Sequence, residues 1–230
     1  MPSWRGTQIG RTLIPHPSLT LALTLTFALA LTLTRRAKPH MAKSGVALKD
    51  ADRGKAAKEF RTSSQYFLPT TNDRLLEKVD RRVMLLTRIP ISHAEYIQVL
   101  KYEHLEHYSA HHDFFDPAAY ASNAEMLASV EHGAKNRLAT VFFYLNNVTD
   151  DSDLSVGGGQ TNFPRAATAE FPDGGPPVRD YFDCSRGLSV YPQEGKVGFL
   201  VCPVLMNGKM DDPQASASAQ DLSLSRAEPR

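Results

Sequence analysis

The chain has 230 residues, enough for one domain with a sizeable core plus an extension. Its 26 Lys and Arg residues stand against 25 Asp and Glu, and this balance lacks the basic excess of a general nucleic-acid binder. Two cysteines, Cys184 and Cys202, have neither zinc-type spacing nor the number for a disulfide framework. They are compatible with one bridge in an oxidising lumen or with two separate thiols.

Ser18 to Thr34, SLTLALTLTFALALTLT, carries no charge; Arg5 and Arg11 precede it, and Arg35, Arg36 and Lys38 follow. At ~1.5 Å per residue such a helix spans about 25 Å, slightly less than the ~30 Å hydrocarbon core of a bilayer. Residues 1–40 are therefore expected to form a signal-anchor-like segment, with membrane contact through residues 18–34. A cleaved signal peptide, or a low-complexity leader ahead of a start at Met41, are the competing readings. Basic residues are denser after the run, which by the positive-inside rule predicts a cytosolic domain.

Residues 41–60 are charged, rich in Ala, Gly and Lys, and without apolar period, so they are expected to be a linker. Arg61 to Leu68, RTSSQYFL, is a polar segment that ends in aromatic and apolar residues. Thr71 or Asn72 is expected to cap a helix from about Asp73 to Thr87, with Leu75, Leu76, Val79, Val83 and Leu86 on one face. The pattern then changes. Glu95–Tyr102 alternates as a strand does, and Tyr108–Phe115 is a second extended piece. A short helix is expected near Ala124–Glu131. Arg137–Val148, β-branched and aromatic, carries the strongest strand signal. Gln160–Phe163, Gly187–Tyr191 and Val197–Leu205 are further strands. The tail, 206–230, is Ser-, Ala-, Asp- and Gln-rich and is expected to be disordered. A helix followed by short strands predicts an α+β fold, mainly β, built as a β-sandwich or a jelly roll.

The string Tyr108-Ser-Ala-His111-His-Asp113 carries the chemistry. On a strand, residues two apart share a face, so His111 and Asp113 project together. One imidazole and one carboxylate supply two corners of a 2-His-1-carboxylate facial triad, the arrangement that binds non-haem Fe(II) with positions left open. Alone, an HxD string is a weak signal and equally describes two surface polar residues.

Its neighbours change the odds. RTSSQYFL, IQVLKYEHLEHYSAHHDFF, ATVFFYLNNV, GGGQTNFPRA and CSRGLSVYPQEGKVGFL occur in order. Together they resemble the prolyl 4-hydroxylase α-subunit-like family of Fe(II)- and 2-oxoglutarate-dependent dioxygenases, over about residues 61–205. The resemblance implies a double-stranded β-helix with a supporting N-terminal helix. It implies His111 and Asp113 as iron ligands, Tyr102 as a hydrogen-bond donor to 2-oxoglutarate, and Tyr108 as a catalytic-site residue near the substrate proline. Arg61 and Ser63 would line a groove for a Pro-rich peptide. Lys209 stands where the family's lysine pairs with the far carboxylate of 2-oxoglutarate. The implied reaction consumes 2-oxoglutarate and O₂, releases succinate and CO₂, and hydroxylates peptidyl proline at C4, with L-ascorbate re-reducing iron after uncoupled turnovers. The implied location is the endoplasmic reticulum membrane or the secretory lumen, opposite to the orientation that the basic residues favour.

One departure is plain. The family's third ligand is a histidine that precedes a CPV motif. Here no histidine follows His132, KVGFL runs directly into VCPV, and Phe199 stands at the expected position. The domain is therefore expected to lack a segment between Leu200 and Val201 and to be incomplete at its C-terminal strands. His93, His104 and His107 are the remaining candidates for a substitute ligand. Three readings follow: a peptidyl-proline 4-hydroxylase, a catalytically inactive relative that still binds Pro-rich peptide, and a truncated isoform without a stable fold.

Overall fold

The structure, a computed structural model, describes residues 27–69, 72–148, 158–171, 174–201 and 222–224. It is an α+β fold in which all strand pairings are antiparallel. Helix α1 is Phe27–Ala37, α2 is Arg74–Thr87 and α3 is Ala124–Ser129. Strands β1 (Ala42–Lys43), β2 (Ser64–Leu68) and β3 (Ile97–Lys101) form one sheet in the order β1-β2-β3. Strands β4 (Tyr108–His111), β6 (Thr161–Phe163), β7 (Leu188–Val190) and β9 (Leu222–Leu224) form a second, ordered β4-β9-β6-β7. Strands β5 (Ala139–Phe143) and β8 (Val197–Val201) pair with each other.

Two helices cover the first sheet. In α1, Leu29, Leu33 and Ala37 recur every four residues and are buried in one cluster with Leu68, Leu76, Val79 and Val99. Its Thr34, Arg35 and Arg36 face solvent, and Arg36 forms an ion pair with Asp73. Asp73 is the N-cap of α2, its carboxylate accepting from the Leu75 and Leu76 amides at 2.9 and 3.3 Å. The cap therefore falls one to two residues later than Asn72 or Thr71; Thr71 lies outside the described residues. Leu76 and Val79 are buried and Val83 and Leu86 half-buried, as the three- and four-residue spacing expects.

The structure differs from the sequence expectation at three places. The described part of the apolar run, Phe27 onward, is a helix packed into the domain core, not a segment set apart from it. No helix among the described residues is long and apolar enough to cross a membrane. The expected linker 41–60 is attached to the domain: Ala42 and Lys43 pair with Gln65 and Ser64, and the Ser63 hydroxyl donates to that of Ser44 at 2.9 Å. In the tail, Leu222–Leu224 forms β9 inside the second sheet. Residues 202–221 and 225–230 lie outside the described residues, so the expected disorder there, the remainder of the strand to Leu205, and any pairing of Cys202 fall beyond it.

The β6–β7 hairpin is held by Asn162, which is fully buried. Its amide donates to the Arg186 carbonyl at 2.9 Å and to the Ser189 hydroxyl at 3.0 Å. Gly187 makes this approach possible. Its φ is +73°, and a Cβ there would sit 2.0 Å from the Phe163 carbonyl oxygen, a backbone atom with no room to move. Gly187→Ala is expected to cost about 3 kcal/mol, combining left-handed strain with overpacking. A chemical-denaturation midpoint unchanged from the parent chain would contradict this.

Candidate metal and anion site

His111 ends β4, and Asp113 follows two residues later. The His111 Nε2 and Asp113 Oδ1 atoms face each other at 3.4 Å. The His111 Nδ1 lies 2.8 Å from the Ser109 carbonyl oxygen. A carbonyl only accepts, so Nδ1 carries a proton, and Nε2 is the ring nitrogen turned toward the carboxylate. The second Asp113 oxygen accepts from the Thr140 hydroxyl at 2.5 Å. Burial alone would raise the Asp113 pKa; the His111, Thr140 and Arg137 groups outweigh it and hold the carboxyl below its ordinary value. The Ser109 carbonyl and the Thr140 hydroxyl thus fix the two side chains, with one nitrogen and one oxygen converging, as two ligands of one metal ion would be.

A bulge aims the histidine. On β4, three steps separate Tyr108 from His111, but their partners on β9, Leu224 and Leu222, are two apart. The extra residue breaks the alternation that would put positions 108 and 111 on opposite faces. The two rings instead stack, centroids 3.8 Å apart and 23° from parallel. The Arg61 guanidinium lies 4.4 Å above the same Tyr108 ring. Arg61 is only 8% exposed and donates from Nε to the Ser63 hydroxyl at 2.9 Å and from Nη1 to the Gly45 carbonyl at 3.3 Å. Arg61, Tyr108 and His111 form one continuous stack. Arg61 is thus a buried charge and not a solvated surface one.

Tyr102 flanks this stack. Its hydroxyl is buried and has no hydrogen-bond partner among the described residues. Burial pushes its pKa up to about 12, although Arg61 and Ser63 lie near enough to temper the shift. At neutral pH it is an uncharged hydroxyl whose donor has no acceptor among the described residues. Burial likewise raises the Tyr108 pKa.

Sequence reading identified His111, Asp113, Tyr102, Tyr108, Arg61 and Ser63, and the structure brings all six to one region. It missed Thr140, Ser44 and Arg137. Thr140 had a signal: it is the lone hydroxyl in the apolar strand ATVFF. Arg137 grips Glu95 through two bonds, 2.7 and 3.0 Å, and lies 5.0 Å over the Phe115 ring, a tertiary arrangement without a local signature. Lys209 lies outside the described residues.

The donors fit a metal in part. Among the described residues, no group of three His, Cys, Asp or Glu side chains could hold an ion. His93 ends a short turn beside Ser92, exposed; His104 is exposed; the His107 ring meets Phe182 edge-on at 5.1 Å. None completes the pair. Phe199 does not face it either. Phe199 pairs with Val141, while Thr140, which touches Asp113, pairs with Leu200. Strand alternation therefore puts Phe199 on the face away from Asp113, and it is 43% exposed. An anion fits better: the Tyr102 hydroxyl supplies a donor beside the buried Arg61 charge. Thr140→Val keeps the shape of β5 and removes the bond to Asp113. It is expected to lower affinity for Co(II), used as a probe ion, by about 10-fold, the low end of the roughly 10–100-fold lost when a group that hydrogen-bonds a metal ligand is removed. Equal affinity in a metal titration would show that Thr140 is not part of the site.

No family model matches the chain. Relatives do. Probable prolyl 4-hydroxylase 3 of Arabidopsis thaliana is 35% identical over 161 residues, 69% of this chain and 49% of that protein. Probable prolyl 4-hydroxylase 9 of the same plant is 30% identical over 185 residues, 80% of this chain and 56% of that protein. Prolyl 4-hydroxylase 2 is 32% identical over 161 residues, 69% of this chain and 48% of that protein. The chain spans about half the length of these curated relatives. Among solved structures, the viral collagen prolyl hydroxylase of Paramecium bursaria Chlorella virus 1, in complex with 2OG, shares the fold. Its TM-score is 0.51 at 16% identity, over 90% of this chain and 86% of that one. With the HxD pair, the flanking motifs and the fold in agreement, the chain belongs to the prolyl 4-hydroxylase-like family of 2-oxoglutarate dioxygenases.

Proposed function

We propose that the site is that of an Fe(II)- and 2-oxoglutarate-dependent peptidyl-proline 4-hydroxylase, and that this chain keeps its ligand-facing half without the full metal centre. The convergence of His111 Nε2 and Asp113 Oδ1, with the Nδ1 proton committed to the Ser109 carbonyl, carries the reading. Bound iron would supply the oxidative chemistry. The chain's own residues have three tasks. His111 and Asp113 would hold two corners of the ion. Tyr102 would donate its hydroxyl to a carboxylate oxygen of 2-oxoglutarate. The Tyr108 ring would lie against an extended Pro-rich peptide, since proline rings favour aromatic faces, while Arg61 and Ser63, which are buried and so do not line the expected groove themselves, would brace that ring from within. In this reading β4-β9-β6-β7 and β5-β8 are the facing walls of a double-stranded β-helix, incomplete at its C-terminal strands. The Thr140–Asp113 bond and the Tyr144 hydroxyl, which donates to that of Thr161 at 2.7 Å, join the two walls.

A second observation favours the inactive reading for this polypeptide. The strand beside His111 is Leu-Ser-Leu, which brings no metal-binding residue in register. The test is a 2-oxoglutarate turnover assay with Fe(II), ascorbate and a polyproline peptide, run beside peptide binding by fluorescence anisotropy. The expected result is saturable peptide binding with no succinate above background. Succinate formation coupled to hydroxyproline would establish the active reading for this chain, and absence of both signals from folded protein would remove the functional proposal.

A further inference from the structure

The exposed residues of α2 are Arg74, Glu77, Lys78, Arg81 and Leu85. At about 3.6 residues per turn they fall within about 100° of the helix circumference, opposite the buried Leu76 and Val79. Arg88, the exposed C-cap, continues the row. Arg36 touches Asp73, so the exposed Arg35 and Lys38 stand at the other end. Glu77 is the one acid on the arc. Among the described residues, Arg74, Lys78, Arg81 and Arg88 have no ion-pair partner, whereas Lys43, Lys55, Lys101, Lys135 and Arg137 are each matched with a carboxylate. Arg74, Lys78 and Arg81 are spaced four and three residues apart, and like charges at those spacings repel. The whole chain carries a net charge of only +1, so the row is a local accumulation and not a share of a general excess.

We propose that the outer face of α2 is a docking surface for a bilayer of anionic phospholipid. Charge complementarity selects an anionic partner, and shape and side-chain chemistry select lipid among anions. A straight helix of 14 residues presents a convex ridge about 21 Å long, which suits a flat surface. Leu85, 50% exposed, stands among the bases; Ile91 and Tyr96, 41% and 55% exposed, lie on the segment that leaves the helix. Aliphatic and tyrosine side chains among basic ones match the headgroup–acyl boundary, where guanidinium and ammonium groups meet phosphates and apolar groups enter beneath them. A nucleic-acid backbone or a run of glutamates offers Leu85 no such contact. The apolar face of α2 stays on the sheet throughout, so the domain lies on the bilayer without entering it. The surface is independent of the site built on His111 and Asp113.

Co-sedimentation of the full chain with vesicles tests this. The signal is the gain in bound protein when about one-third of the phosphatidylcholine is replaced by phosphatidylserine, so that any insertion by apolar residues elsewhere in the chain cancels. The parent chain is expected to gain, and to lose the gain as salt approaches ~1 M, where the screening length falls to ~3 Å. The triple variant Arg74→Gln, Lys78→Gln, Arg81→Gln is expected to bind the phosphatidylserine vesicles about 100-fold more weakly, at about fivefold per charge. A second triple, Lys55→Gln, Lys101→Gln, Lys135→Gln, removes the same net charge from paired lysines elsewhere and is expected to stay within about twofold of the parent. Leu85→Ala is expected to weaken vesicle binding about threefold and to leave binding of polyuridylate unchanged. No gain from phosphatidylserine by the folded parent, or equal losses in the two triples, overturns the proposal. Equally tight binding of polyuridylate or polyglutamate, with vesicle binding indifferent to Leu85→Ala, makes the face a general polyanion site and also overturns it. If the first triple does not fold, Arg81→Gln alone decides: about a fivefold loss supports the proposal and no loss overturns it.

Discussion

A chain that begins at Met41 is expected to lose cooperative folding. Helix α1 contributes Leu29, Leu33 and Ala37 to the cluster that also buries Leu68, Leu76, Val79 and Val99. Removing a buried leucine costs about 2–5 kcal/mol once the space it leaves is included. Two such losses approach the whole stability of a typical domain, about 5–15 kcal/mol. The Arg36–Asp73 ion pair at the start of α2 goes with them, but both side chains are partly exposed and its share is small. The expected observation is a broad thermal transition and strong binding of a hydrophobic dye, against a sigmoidal melt for the full chain. Two point variants refine this. Leu33→Ala is expected to destabilise by about 3 kcal/mol. Leu31→Ala, at a position 36% exposed, is expected to stay within about 0.5 kcal/mol. A shortened chain that melts as the parent does would show α1 to be dispensable. The apolar face of α1 packs on the first sheet.

Leu222→His is expected to raise Co(II) affinity by at least an order of magnitude, and Phe199→His is expected to leave it unchanged. Register decides both. Directly opposed residues of an antiparallel pair share a face, with Cβ atoms about 4.5–5.5 Å apart, so an imidazole at position 222 would arrive beside His111. A two-donor site would become a three-donor site of the His₂-carboxylate type. An imidazole at 199 would stand opposite Val141, on the outer side of β5-β8. Visible-absorption titration with Co(II) separates the two outcomes. A gain at 199 and none at 222 would mean that the seat beside His111 is not where β9 places it. The two substitutions also separate a missing residue from a missing strand, because simple replacement at the aligned position is predicted to fail.

Sequence patterns reached some of this and not the rest. The α2 face, the strand over Ala139–Phe143 and the HxD pair were legible because each rests on local period: three to four residues for the helix, two for the strands. β2 was not, since Ser64–Leu68 shows no alternation of burial and owes its strand form to neighbours on both sides. β1 and β9 have two and three residues, too few for any period to show. The apolar run ending at Thr34 was ambiguous for a physical reason. A continuous apolar stretch describes a buried helix and a membrane span equally well, and only the packing partner distinguishes them. Within the site, the residues were legible and their arrangement was not. An i, i+3 pair on a strand should diverge, and nothing in YSAH announces the bulge that brings Tyr108 onto His111.

That stack gives the histidine a built-in reporter. An aromatic ring lying 3.8 Å away and nearly parallel imposes its ring current on the carbon-bound protons of His111 and moves their resonances upfield. Any event that tilts the imidazole, whether a cation seated on Nε2 or a peptide pressing on Tyr108, will change that displacement. Magnetic resonance of one side chain therefore reads the state of the whole pocket without substrate, turnover or an added label.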